Sequence, residues 1–342
     1  MQVRVKTPSR LHWTLIDLHG GVGRIDGGIG VALEDPHISL KVQPSEEQFT
    51  VRGAALDLIY SLVDRFFKNV IDAKGHYNKY TRKHERINLE IDVLKMIPRH
   101  VGMGSMTQLS LALGMTLNRL LNLNYTVREI AKVMWRGGTS GIGIAAFEHG
   151  GFILDAGHSF GLGKQKSNFL PSRAARAPPA PILIRHEVPR DWVFVITLPQ
   201  IEKGAHGTRE VDIFQKYCPI PEKEVEKLSR IILMQLLPGI VELDIYTVGT
   251  ALTAIQQLGF KKIEIELQHK IIGKLMEMAL ATGATGSGMS SFGPTTYALV
   301  SGQRKVDDVK KAMQATLEEE NITGEVLTSR VNNDGATIEV KE

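Results

Sequence analysis

Between Pro98 and Gln108 the chain reads Pro98-Arg99-His100-Val101-Gly102-Met103-Gly104-Ser105-Met106-Thr107-Gln108. Two glycines one residue apart let the backbone turn tightly and approach a ligand closely. Ser105 and Thr107 add hydroxyl donors. Apolar residues at helical spacing begin at Leu109, so the loop is expected to run into a helix, Leu109–Leu121. The first N–H groups of such a helix lack intrahelical partners, and with the helix dipole they favour an anion. The expected chemistry is therefore phosphate binding, with Gly102, Gly104, Ser105 and Thr107 as the cradle. Gln108 either orients a phosphate or caps the helix. The Gly-Lys-Ser/Thr ending of a Walker loop is absent, and so is the third glycine of a dinucleotide fingerprint.

Other polar residues are placed to join this loop. Arg10 and His12 lie two apart on a strand and share one face, where they can meet phosphate or carboxylate. Asp17 is a candidate metal ligand or a surface ion-pair partner, and Ser105 is the second metal candidate. Arg136 ends a helix before Gly137-Gly138-Thr139-Ser140 and either serves the helix terminus or binds substrate. Asp155 and His158 follow a strand, where side chains can reach a cleft. His206 and Arg209 sit in the glycine-flanked Lys203-Gly204-Ala205-His206-Gly207-Thr208-Arg209, a loop suited to closing over an anion. Ser287 lies in a third glycine-rich run, Gly283–Gly293. The catalytic candidates are thus Arg10, His12, Asp155 and His206, and the ligand-binding ones add Arg136, Arg209 and Ser287. The 11 histidines form no H-x-x-x-H or H-E-x-x-H pattern, which argues against a tight zinc site.

The elements that must position these residues are legible from periodicity. Val3–Val5, Leu11–Leu15, Ile87–Val93, Phe152–Asp155, Val193–Leu198 and Thr295–Val300 read as strands, with further strands near Glu325–Leu327 and Thr337–Val340. Ile38–Val42 and Gln48–Val51 read as a hairpin, and the glycines of Gly20–Gly30 as a turn or ligand-facing loop. Helices are expected over Ala54–Ala73, Thr126–Trp135 with Glu129 completing a capping box, Ile144–Glu148, Glu222–Leu237, Ile240–Leu258, Lys270–Thr282 and Val306–Glu319. Strands and helices mix without strict alternation, which predicts an α+β protein. The proline-rich Gln165–Pro189 reads as a connection between domains, giving 1–165, 166–190 and 191–342.

Bulk properties narrow the function classes. The chain has 342 residues, 43% hydrophobic and 23% charged, the balance of a protein with a real core. A net charge of +4 does not argue for nucleic acid and suits anionic substrates. The single cysteine, Cys218, excludes a disulfide within the chain and fits a reducing compartment; before Pro219 it is a weak nucleophile candidate. No stretch reaches the roughly 20 apolar residues of a membrane span. The expectation is a cytoplasmic enzyme without a membrane partner.

Pro98–Ser105 resembles the P-x-x-x-G-L-G-S-S-A motif of the GHMP kinases. Ser9-Arg10-Leu11-His12 is similar to that superfamily's first motif, and Gly283-Ala284-Thr285-Gly286-Ser287-Gly288-Met289-Ser290-Ser291 to its third. The resemblance implies a two-domain fold, with an N-terminal mixed β-sheet carrying helices and a C-terminal ferredoxin-like α/β sandwich. The kinases keep an acid after a Ser-Gly pair; here Ser140-Gly141-Ile142-Gly143 places Gly143 there, and glycine can take no proton. Their metal-binding glutamate aligns with Lys132, one turn from Glu129.

A non-kinase branch fits better. Thr7–Leu18, His100–Gln108, Arg136–Gly143 and Gly204–Glu210 resemble the β-ribofuranosylaminobenzene 5′-phosphate synthases, a mainly archaeal family of methanopterin biosynthesis. The resemblance implies condensation of 4-aminobenzoate or 4-hydroxybenzoate with phosphoribosyl pyrophosphate, releasing carbon dioxide and pyrophosphate. It further implies magnesium, no nucleotide cofactor and a homodimer. The alternative is an ATP-dependent kinase of a small alcohol.

Overall fold

The computed structural model describes residues 1–46, 48–74, 88–205 and 207–341. Its strands are β1 (Gln2–Asp17), β2 (Arg24–Pro44), β3 (Thr50–Gly53), β4 (Leu89–Lys95), β5 (Phe152–Asp155), β6 (His158–Ser159), β7 (Ile182–His186), β8 (Trp192–Pro199), β9 (Gly286–Met289), β10 (Thr296–Ser301), β11 (Gly324–Arg330) and β12 (Thr337–Lys341). One sheet has the order β12-β1-β2-β4-β3, with β5 and β6 also on β2 and β7 on β5. The other is antiparallel, in the order β11-β8-β10-β9. Helices Ile271–Ala281 and Gln303–Glu319 pack on the second sheet. This is the expected α+β arrangement of a mixed sheet and an α/β sandwich.

The long β1 alternates between buried and exposed over Gln2–Lys6 and is largely buried on both faces from Thr7 to Leu15. Val3, Val5, Leu11 and Trp13 are buried, on the side that forms the core. Trp13 packs against Phe152 of β5 and Phe194 of β8, with ring centroids 5.6 and 6.5 Å apart. The two sheets therefore share one apolar core. The capping box at Thr126 is present, with its side chain accepting from the Glu129 N–H.

Several elements differ from the sequence expectation. Gly27, Gly28 and Gly30 belong to β2, not to a loop; only the stretch before Arg24 turns. A Cβ on Gly30 would lie 2.3 Å from the Leu11 carbonyl oxygen, so glycine is required by the close approach of β1. Residues 38–42 and 48–51 form no hairpin, because β4 intervenes: it pairs antiparallel with β2 and parallel with β3. The anion-loop helix starts at Ser105, four residues before its apolar periodicity. β7 lies inside the proline-rich stretch and pairs with β5, while β12 returns to pair with β1. The glycine-rich third run is itself partly strand, β9. Asp244 caps a helix Ile245–Ile255 inside the expected 240–258 helix, its carboxylate accepting from Tyr246 and Thr247 N–H groups.

Candidate functional site

The three glycine-rich or polar motifs meet at one point. Gly102 and Gly104 adopt φ of 85° and 80°, the left-handed region that only glycine enters freely. A Cβ on Gly102 would stand 2.2 Å from the Ser290 carbonyl oxygen. Ser290 Oγ donates to Gly102 O at 2.6 Å and accepts from the His12 N–H at 2.9 Å. The Ser291 N–H donates to His12 O, and Thr295 Oγ1 to Val101 O at 2.5 Å. The first strand, the anion loop and the third motif are thereby stitched together. Gly204 continues the contact, since a Cβ there would come within 2.4 Å of Phe292 O.

This junction borders a cavity of about 590 Å³, lined by Arg10, His12, Thr107, Arg136, Glu210 and Glu264 among others. That volume suits a small-molecule ligand. The helix Ser105–Leu120 begins here with Gly104 as its N-cap and no side chain capping it. Arg10 reaches across Gly104 and donates from Nη1 to Gly102 O. Burial and then the neighbouring Arg136 push its guanidinium down to about 10. Arg136 points Nε and Nη2 at Thr107 Oγ1, 3.2 and 3.1 Å away.

His12 is set by a register shift in the β1–β2 pairing immediately after it, a local irregularity that aims the side chain. Its ring is buried and its Nδ1 has no partner. Burial, then Arg10 and Lys261, hold it well below the ordinary histidine range, so the ring is neutral. Gly28 makes room for it: a Cβ at 28 would lie 3.0 Å from both Asp155 Oδ2 and Ser140 Oγ, and 3.2 Å from His12 Nε2. Lys261 is fully buried, pairs with Glu264, and donates to Ser291 O at 3.0 Å. It props the third motif from beneath.

The resemblance drawn from the sequence sets Gly143 against the acid of the kinases. A Cβ there would meet Thr107 Cγ2 at 3.1 Å and Thr107 Cβ at 3.3 Å. The space is filled by the threonine that receives Arg136.

Residues 62–151 match the GHMP kinases N terminal domain, and residues 236–319 the GHMP kinases C terminal family. The β-ribofuranosylphenol 5′-phosphate synthase of Archaeoglobus fulgidus is 42% identical over 338 residues, covering 99% of this chain and 100% of its own. That of Methanothermobacter thermautotrophicus is 42% identical over 302 residues, 87% of this chain and 89% of its own. The chain belongs to the β-ribofuranosylphenol 5′-phosphate synthase family. Its fold is that of the GHMP kinases. Homoserine kinase from Cytophaga hutchinsonii superposes with a TM-score of 0.68 at 18% identity, over 99% of this chain and 97% of that one. Phosphomevalonate kinase from Streptococcus pneumoniae gives 0.67 at 13% identity, over 97% and 100%.

Within this synthase fold, Arg10, His12, Thr107 and Arg136 line the cavity, with Gly102, Gly104 and Ser105 in the loop behind them. Other expected site residues lie elsewhere. Gln108 is buried and donates from Nε2 to Gly143 O at 2.7 Å, tying its helix to the helix Ile142–Glu148 instead of capping its own. Asp155 accepts from the Gly141 and Gly157 N–H groups, at 2.8 and 2.9 Å, and from Ser140 Oγ at 3.1 Å. Burial nevertheless raises it to about 6. It shapes the Ser140–Gly141 turn, and Ser140 lines the cavity. Asp17 accepts from the His19 and Gly20 N–H groups in a turn. Ser287 donates to Tyr297 O across β9 and β10. Arg209 is exposed and pairs with Glu202. His206 lies outside the described residues. Cys218 is pushed up to about 12 by burial and is no thiolate.

The sequence reading missed Glu210, Glu264 and Lys261. Glu210 adjoins Arg209 in a motif already singled out, but a search for anion ligands favours cations. Lys261 and Glu264 sit three apart on a charged helix, a pattern normally read as a solvated face. No metal centre was found: among the described residues, no three His, Cys, Asp or Glu side chains converge in a metal-binding group.

Proposed function

We propose that the chain joins the carboxylate-bearing ring carbon of 4-hydroxybenzoate, or 4-aminobenzoate, to the anomeric carbon of phosphoribosyl pyrophosphate. Carbon dioxide and pyrophosphate leave, and the product is the β-ribofuranosyl phenol or aminobenzene 5′-phosphate, a C-glycoside of methanopterin biosynthesis. The observation that carries this reading is the 42% identity, over 99% of the chain, to a protein named for that phenol product.

The geometry supports it. As pyrophosphate departs, negative charge grows on its oxygens while an oxocarbenium-like centre forms. The first-turn N–H groups of Ser105 and Met106 and the guanidiniums of Arg10 and Arg136 are oriented donors for that charge, held in place before the reaction starts. No base need remove a ring proton, because carbon dioxide is the group that leaves the ring. The absence of a carboxylate at Gly143 is consistent with this. Phosphoryl transfer to an alcohol draws less support, since Thr107 fills the place of its acid. Magnesium enters as the counter-ion of phosphoribosyl pyrophosphate, and no step is assigned to it.

Incubation with phosphoribosyl pyrophosphate, magnesium and 4-hydroxybenzoate should give a product with the mass of ribofuranosylphenol 5′-phosphate. ATP supplied with homoserine, mevalonate or galactose should not be consumed. Alcohol-dependent ATP consumption without the C-glycoside would overturn the reading.

A further inference from the structure

Attack by an aromatic ring carbon requires electron density pushed into it from the opposite, 4-position. An amino group supplies its lone pair directly. A hydroxyl does so effectively only as its proton leaves. If the proposed reaction is correct, an enzyme acting on the hydroxybenzoate needs an acceptor for that proton inside the cavity.

The groups already described are unsuited. Arg10 and Arg136 are cations. His12 is held neutral far below its usual range and is a correspondingly weak base. Both Asp155 oxygens accept bonds from the protein, and Glu264 is paired with the buried Lys261. Glu210 differs from all of these. It lies in the first turn of the helix Thr208–Tyr217 and lines the cavity. Its side chain is half-buried, and among the described residues no side chain forms a hydrogen bond or ion pair with its carboxylate.

We propose that Glu210 is the general base for the 4-hydroxyl of the benzoate, on the reading of the reaction given above. The Glu210 carboxylate takes the hydroxyl proton as the ring carbon bonds to the anomeric carbon. The bond from that carbon to pyrophosphate breaks, and its electron pair leaves with the pyrophosphate. The ring is then a cyclohexadienone carrying both ribosyl and carboxylate on one carbon. The bond to carbon dioxide breaks, its electrons restore aromaticity, and the phenolate oxygen takes the proton back from Glu210. No proton is gained or lost by the enzyme over a turnover.

The surroundings tune Glu210 for this task. Burial raises its carboxyl to about 7, the negative charge of Glu264 adds to the rise, and Arg136 opposes it. The other charged or titratable groups around it among the described residues are Lys261 beside Glu264, Arg10 and His12 on β1, and Arg65, Arg99, His100 and Arg176 along the cavity wall. A base poised near the working pH is the efficient one. Only the ionised carboxylate can accept the proton, so activity should fall as the pH drops through about 7.

The test uses the full chain with phosphoribosyl pyrophosphate, magnesium and each benzoate in turn. For the native protein, kcat/KM with 4-hydroxybenzoate should fall about tenfold per pH unit below the Glu210 transition. Glu210→Gln should lose that limb. Its kcat with 4-hydroxybenzoate should drop about 100-fold or more, while kcat with 4-aminobenzoate stays within about fivefold. Glu210→Asp should regain part of the lost rate, which a damaged fold would not. Persistence of the pH limb in Glu210→Gln would overturn the proposal. So would an equal loss with both benzoates, or a raised requirement for phosphoribosyl pyrophosphate or magnesium, which would mark a phosphate-side or structural role. A native protein that releases carbon dioxide from neither benzoate would instead overturn the proposed reaction itself, and this assignment with it.

Discussion

Thr107 sits where two readings of the site diverge. Its methyl group occupies the space that a side chain at 143 would need, and its hydroxyl receives two N–H groups of Arg136. Thr107→Val keeps the shape and deletes the acceptor. Hydrogen bonds to charged groups contribute about 1.5–3 kcal/mol, so loss of this bond to Arg136 should raise the KM for phosphoribosyl pyrophosphate roughly tenfold or more. Steady-state kinetics should show the KM for the benzoate within about twofold, because that pair is assigned to the phosphate side. A shift confined to the benzoate would place its carboxylate at Arg136. Gly143→Asp should create no alcohol-dependent ATP consumption, because its Cβ would crowd Thr107, 3.1 Å from Cγ2 and 3.3 Å from Cβ, and leave the added carboxylate facing a site built for anions. At this scale the sequence pointed to Arg10, His12 and residues 102–107, and the fold brings them to one cavity; paired glycines before a helix carry a local signal. Glu210 carried no such signal: a lone glutamate in a helix's first turn is ordinary, and only the fold turns it into a cavity.

Among the elements, the proline-rich stretch shows how a segment without regular periodicity is held. Asp26 is buried beside β6, where His158 Nδ1 donates to it at 2.6 Å and Lys166 Nζ at 2.9 Å. The other ring nitrogen of His158 donates to Pro178 O, and Lys166 to Leu170 O. These bonds fasten residues 166–178 to the first sheet, and Ser172 and Arg176 of that segment reach the cavity. Lys166→Met removes one partner of a buried ion cluster and should cost about 3–5 kcal/mol, read from the urea midpoint. It should also raise KM, since the cavity wall loosens. An unchanged midpoint would show that the cluster contributes nothing to the fold. His158 was placed near a cleft from sequence; its partner Asp26, 132 positions earlier, could not be. The misreading of Gly20–Gly30 has the same origin. Glycines in a strand serve neighbours that are distant in sequence, here β1 and the His12–Ser140–Asp155 cluster.

For the molecule as a whole, the order of the three motifs and the α+β composition were legible, and both sheets follow from them. Sequence did not reveal that β12 closes the first sheet or that Trp13 bridges to the second, because such pairings depend on long-range topology. The consequence is functional. Ser290 and Ser291 from the second half bond directly to His12 and Gly102 of the first, so the anion cradle is complete only when both halves are folded together. In the proposed reaction this cradle holds a departing pyrophosphate, and decarboxylation restores the ring. Turnover of carboxyl-labelled 4-hydroxybenzoate with phosphoribosyl pyrophosphate and magnesium tests it most directly. The account predicts labelled carbon dioxide and pyrophosphate released in equal amounts. Pyrophosphate release with the label retained on the ring, or no release of either, would contradict it.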